Sequence, residues 1–230
     1  MGGLLAKTLV VDSGRSIWDR TFTVPPEQLR VDDAVRARFE EALILKPWPA
    51  VGRVIFLGVP HHGSDAADGL LGWLGKRVIQ VPSDFVELLQ AAVRDDPEHV
   101  QNKVRDWFRR GTVTSVQSLS PGYPAMQGLA ALPIAPGVPF HSVIGDVTKD
   151  GRGRPSDGYV TVESARVPGA TSELVLAIAH EQFDRAEPLN EVYRILRLHA
   201  QSVGMPERPD PELACTADDR SAVERERSAQ

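Results

Sequence analysis

Three short runs of consecutive apolar residues punctuate the chain: RVIFLGV at 53–59, FHSVIG at 140–145 and ELVLAIA at 173–179. Each is followed by a polar or glycine-rich loop. The first, closed by Pro60 and Gly63, has the profile of a strand buried on both faces. Elsewhere the apolar positions recur at three- and four-residue spacing, the period of a helix with one buried face. Leu4, Leu5, Ala6, Leu9 and Val10 follow it until Asp12-Ser13-Gly14 stops the run. The segment from Phe85 to Val93 is amphipathic, Pro97 restarts a helix, and Val100 to Arg110 carries Val104, Trp107 and Phe108 on one side. A last helix is predicted over Pro188 to His199, with Leu189, Val192, Ile195, Leu196 and His199 at helical spacing. Strands separated by helices predict an α/β fold with a parallel sheet.

Residues 201–230 break the pattern. Pro206, Pro209 and Pro211 stand close together, and seven acids face four bases, so this stretch reads as a disordered extension of a domain ending near residue 200. The chain as a whole has 230 residues, 42% hydrophobic and 25% charged, with a formal net charge of -5, enough for one domain with a sizeable core. No stretch concentrates Lys and Arg, which argues against a nucleic-acid partner; Arg109-Arg110 reads as a helix end. The single cysteine, Cys215, excludes an internal disulfide framework. No run reaches the roughly 18–20 apolar residues of a membrane span. The chain as written carries no cleavable leader and reads as cytoplasmic, with any targeting signal to be sought upstream of Met1.

In open α/β sheets chemistry collects at the carboxyl ends of the strands. The loops there supply His61-His62-Gly63-Ser64-Asp65, Ser156-Asp157-Gly158 and His180. Asp157 and His180, 23 residues apart, have the order and separation of the acid and base of an acyl-transfer triad. In such a triad an aspartate fixes the histidine tautomer while the histidine takes and returns a proton. Spacing alone favours an Asp-Gly turn and a strand cap, since Asp-Gly turns are common.

Four segments resemble bacterial lipases and related α/β-hydrolase esterases, in family order over residues 1–199. GVPHHGSDAADGLLGW is similar to a GxPHxGS segment after a core strand, and PSDGYVTVESARVPGATSELVLAIAH to the stretch carrying the triad Asp and His. SLSPGYPAMQGLAALPIAPGVPFHSVIGD resembles the family between them, and MGGLLAK resembles the continuation of a GxSxG elbow. The resemblance implies a parallel α/β-hydrolase sheet lacking its N-terminal strands, with Asp157 as triad acid, His180 as base and the backbone N–H of Met1 in the oxyanion hole. It implies a small-molecule or lipid ester substrate and no cofactor; protein partners are left open. The helical region at about 70–110 corresponds to a cap or lid.

The nucleophile would sit immediately before Met1, so this chain as written is expected to be inactive. Ser64, Ser142 and Ser156 lie near the site edge without the elbow setting and read as turn or strand residues. Three accounts fit: a start placed at an internal Met of an active esterase, a truncated gene product with an exposed strand edge, or a non-catalytic remnant binding an acyl ligand or a partner. A fourth reading, a metal-dependent hydrolase built on His61 and His62, lacks an upstream HxHxDH cluster. The loop of His61, His62 and Ser64 is therefore expected to shape the pocket floor, with His61 hydrogen-bonded in place. His99, His141 and His199 stand alone in the sequence and read as structural. Trp18, Trp48, Trp73 and Trp107 read as helix anchors.

Overall fold

The computed structural model describes residues 2–64, 83–109, 124–149 and 153–205. The expected tail from 206 onward, Cys215, Trp73, Met1 and the first part of the cap region lie outside the described residues. The chain divides into two compact units, residues 1–191 and residues from 192 onward.

The first unit opens with α1 (Gly2–Thr8), α2 (Trp18–Thr21) and α3 (Asp33–Leu43), followed by β1 (Val54–Leu57). Next come α4 (Ser83–Asp95), α5 (Asn102–Arg109) and α6 (Pro124–Ala130). The remainder is β2 (Phe140–Gly145), a small hairpin of β3 (Thr148–Lys149) and β4 (Pro155–Ser156), α7 (Val162–Ala165), β5 (Ser172–Leu176) and the start of α8 (Ala186–Ser202). Among the described residues the main sheet runs β1-β2-β5, parallel throughout, with Val54 opposite Phe140 and His141 opposite Ser172. All three apolar runs are thus strands, shorter at their ends than the runs themselves. Every β2 position is buried, but β5 alternates between half-buried and exposed positions, as an edge strand with one covered face does.

The helix read from Leu4 to Val10 ends at Thr8. The backbone carbonyls of Leu9 and Val10 accept instead from Trp48 N and Ala135 N, which turns the chain out of the helix and sends Val10 and Val11 into the core. Leu4 and Lys7 become the inward face of α1, while Leu5 is exposed. Gly3 lets this helix lie against the end of β1, because a Cβ there would stand 2.1 Å from a Val59 methyl.

The main core joins Trp18, Phe22, Phe39, Phe56 and Phe140 with Leu89, Ala92, Val100 and Val104. Trp18 anchors it as expected, its indole N–H donating to Val24 O at 2.7 Å, whereas Trp48 is exposed. The described part of the cap region therefore contributes to the main core. His99 does not stand alone: its Nδ1 lies 2.8 Å from Asp96 Oδ2, which also accepts from Arg30 N. Burial by itself would raise the Asp96 pKa, but the His99 and Arg30 hydrogen bonds and charges together bring it below the ordinary aspartate value. Asp96→Ala is expected to cost about 2 kcal/mol, since it leaves a part-buried amide and an imidazole without their acceptor; urea unfolding at pH 7 measures it. That contribution is fully present above the unfolded-state pKa and disappears as pH falls through the lowered folded-state value.

At the amino ends of the strands Arg53 Nη1 meets His141 Nε2 at 2.6 Å, and His141 Nδ1 meets Ser172 Oγ at 2.7 Å. Arginine can only donate, so Nε2 is the acceptor and Nδ1–H the donor. This confirms a structural place for His141, one that links residues of all three strand segments.

In the second unit α8 continues to Ser202, with the Arg197 guanidinium 5.8 Å from the Tyr193 ring centroid. Among the described residues no helix is long and apolar enough to cross a membrane.

Candidate functional site

At the carboxyl ends of the strands three backbone segments come together. Gly58 follows β1 with φ +55, a conformation that a side chain would strain. A Cβ there would lie 2.5 Å from the Phe183 ring and 3.3 Å from Asp157 Oδ2. Gly145, the last residue of β2, is as tightly covered: its Cβ would fall 2.6 Å from Ile178 O and 2.7 Å from Asp157 Cβ. The two glycines let the Asp157 loop and the segment after β5 close onto the sheet. Gly58→Ala is expected to lower stability by about 2 kcal/mol and to displace Phe183, read by thermal unfolding and by the Phe183 ring resonances.

The Ser156-Asp157-Gly158 turn holds the aspartate from several sides. Asp157 Oδ1 accepts from Tyr159 N at 2.9 Å and from Val160 N at 2.7 Å. Gly158 turns the chain at φ +103, its N–H donating to Ser156 Oγ. Oδ2 is left for His180, whose Nδ1 lies 2.7 Å away. The Asp157 side chain is 1% exposed and that of His180 40% exposed. A buried carboxylate that accepts from Nδ1–H fixes the tautomer and leaves Nε2 as the outward nitrogen.

His180 does not end β5 directly. It opens the 3-10 turn His180–Gln182, with Leu176 the last strand residue. The turn is fixed by Ala179 N donating to Gln182 Oε1 at 3.0 Å and by His180 N donating to Asp157 O at 3.0 Å. Two rings touch the imidazole edge to face: Tyr159 at 5.5 Å between centroids and Phe183 at 6.0 Å. Neither ring nor Gln182 was singled out by the sequence. The Asp-Gly turn itself was the only local signal, since an aspartate there bonds the amides that follow it.

The remaining site candidates separate. Ser64 Oγ donates to Tyr159 O, and Ser164 Oγ donates to Gly63 O, so the loop after β1 is tied to the loop before α7. Ser156 Oγ donates to Val160 O, and Ser142 lies buried within β2. None of the three serines is bonded to His180. His62 lines an open cleft of 310 Å³ with Met126, Gln127, Ala130 and Ala131. His61, expected to be hydrogen-bonded, has neither ring nitrogen partnered among the described residues. Its ring stands edge-on to Phe56 at 4.5 Å inside the core, because the turn over Pro60 to Gly63 directs it under the sheet end. Among the described residues no three His, Cys, Asp or Glu side chains are grouped to hold a metal ion.

The chain matches no protein-family model and no curated protein. Among solved structures it is similar to the mature lipase BlEst2 of Bacillus licheniformis, at 21% identity and a TM-score of 0.36 over 63% of this chain. The match spans 54% of that lipase, about half its length.

Proposed function

We propose that Asp157 and His180 are the acid and base of a serine-type acyl-transfer site acting on carboxylic esters. The observation that carries this reading is the 2.7 Å contact between a fully held, buried carboxylate and Nδ1 of a histidine whose other nitrogen faces outward. The carboxylate orients the ring while the ring stays open to a reacting group, the division of labour that a general base needs.

Such a site requires a serine hydroxyl within reach of His180 Nε2. The reading assigns that serine to the position immediately before Met1, on the turn leading into α1, with the Met1 N–H as one oxyanion donor. Support comes from packing: Gly3 of α1 lies on Val59, next to Gly58, which touches both Asp157 and Phe183. As the serine Oγ bonds to the ester carbonyl carbon, its proton passes to Nε2, and Asp157 balances the imidazolium. The C–O bond to the alcohol then breaks, with the alcohol oxygen taking the proton from Nε2. Water repeats the cycle on the acyl-enzyme, releasing the acid and the serine.

The test is to read the genomic frame upstream of the Met1 codon, express the extended and the given chains, and assay both on p-nitrophenyl acyl esters. Activity confined to an extended chain with Gly-x-Ser before Met1 supports the reading. A stop codon in that frame, or an inactive extended chain, overturns it and favours a non-catalytic acyl binder.

A further inference from the structure

We infer that Tyr159 and Phe183 are positioning residues that hold the His180 imidazole in the plane required by Asp157. One hydrogen bond at Nδ1 fixes the ring at a single edge and leaves it free to tilt about that contact. The two rings remove that freedom, and they arrive from different segments of the chain. Tyr159 belongs to the Asp157 loop: its N–H is bonded to Asp157 Oδ1 and its carbonyl accepts from Ser64 Oγ. Phe183 follows the turn that carries His180 itself, and the missing side chain of Gly58 makes room for its ring. Both contacts are edge to face, at interplanar angles of 65° and 85°, an arrangement that aromatic pairs favour at these separations.

Shielding is the second consequence. The Asp157 carboxylate is buried while the imidazole is partly exposed, so water reaches the pair from the histidine side. Rings packed there lower the local dielectric and strengthen the Nδ1–H···Oδ2 bond. The Ser64–Tyr159 hydrogen bond extends the support, since it ties the loop after β1 to the backbone of the residue whose ring rests on His180. The catalytic meaning of this clamp rests on the acyl-transfer reading, whereas the positioning itself does not.

The test is exchange of the His180 Nδ1 proton with water, measured by NMR on the chain labelled at histidine. The set is wild type, Tyr159→Ala, Phe183→Ala and the conservative Tyr159→Phe and Phe183→Leu. Each alanine variant is expected to exchange about tenfold faster than wild type, since local protection reports local opening. Tyr159→Phe should stay within about twofold of wild type and Phe183→Leu, which lacks the ring, should exceed it, with amide exchange in β2 unchanged throughout. Alanine variants exchanging at the wild-type rate would overturn the clamp, and so would Tyr159→Phe exchanging as fast as Tyr159→Ala. If an alanine variant fails to fold, leucine at that position decides, because it keeps bulk without the ring: faster exchange than wild type upholds the ring's role and the wild-type rate overturns it. In the upstream-extended protein the alanine variants should lower kcat with KM unchanged. An extended wild type without esterase activity removes the functional reading alone, because the exchange rates still decide the positioning.

Discussion

Asp157→Asn in the upstream-extended chain is expected to lower kcat for ester hydrolysis by about 10⁴-fold, with the fold intact. The reason lies in which oxygen does what. Oδ1 accepts from the Tyr159 and Val160 amides, so an asparagine must keep its carbonyl oxygen there and turn its NH₂ toward His180. A donor facing Nδ1 forces the ring into the Nε2–H tautomer, which has no lone pair left for the serine proton. Loss of the imidazole in His180→Ala should cost a similar factor, and the double variant little more, because the two residues act as one unit. Steady-state kinetics on p-nitrophenyl esters, with circular dichroism melting as the control for folding, measure the effect. A loss of less than about tenfold in Asp157→Asn would mean that the tautomer does not matter and that the pair is not an acid-base device.

The pairing was legible through the resemblance to α/β-hydrolase esterases, because the spacing of Asp157 and His180 is explained by an Asp-Gly turn and a strand cap alone. Locally, Asp-Gly specifies a turn that ties the aspartate to its own following amides, and the polar break after ELVLAIA places His180 in the turn beyond β5. The three strands were legible from their apolar runs; FHSVIG buries every position as a central parallel strand does, whereas β1 buries alternate positions and β5 leaves alternate positions exposed. What could not be read was long-range geometry. Phe183 reaches His180 because Gly58, 125 positions earlier, has no Cβ, and no pattern of apolar spacing encodes that fit. The Asp96–His99 pair escaped notice because its third member, the Arg30 amide, is a backbone group. The reading of α1 failed at Lys7 in the same way: a charged residue on the buried face contradicts helical periodicity, and only the tertiary contacts of Leu9 and Val10 explain why the helix turns that face inward.

Lys7 and His61 together produce the second large effect, a loss of stability in mild acid that originates away from the candidate site. His61 is fully buried, and burial first, then the charges of Lys7 and His62, push its pKa down to about 3. The folded state thus holds a neutral imidazole over a range where the unfolded chain, titrating near 6.5, binds a proton. Stability is unaffected above that value and falls as pH drops from about 6.5 toward 3, by about 5 kcal/mol when the window is fully crossed. Against a total of roughly 5–15 kcal/mol for a domain, that is enough to dominate acid unfolding. His61→Leu fills the space beside Phe56 without a titrating group, so its urea midpoint should change far less between pH 7 and pH 4.5 than that of wild type. Carboxylates contribute equally to both proteins, so the difference between the two profiles isolates the histidine. Lys7 has the opposite window. Burial lowers its pKa to about 8, so stability should rise as pH increases from about 8 toward the unfolded value near 10.4, and Lys7→Met should abolish that rise. The same substitution removes one of the charges opposing protonation of His61, so in Lys7→Met the acid limb should end at a higher pH and cost less stability in total. Parallel acid limbs in wild type and His61→Leu would show that another group controls the acid transition.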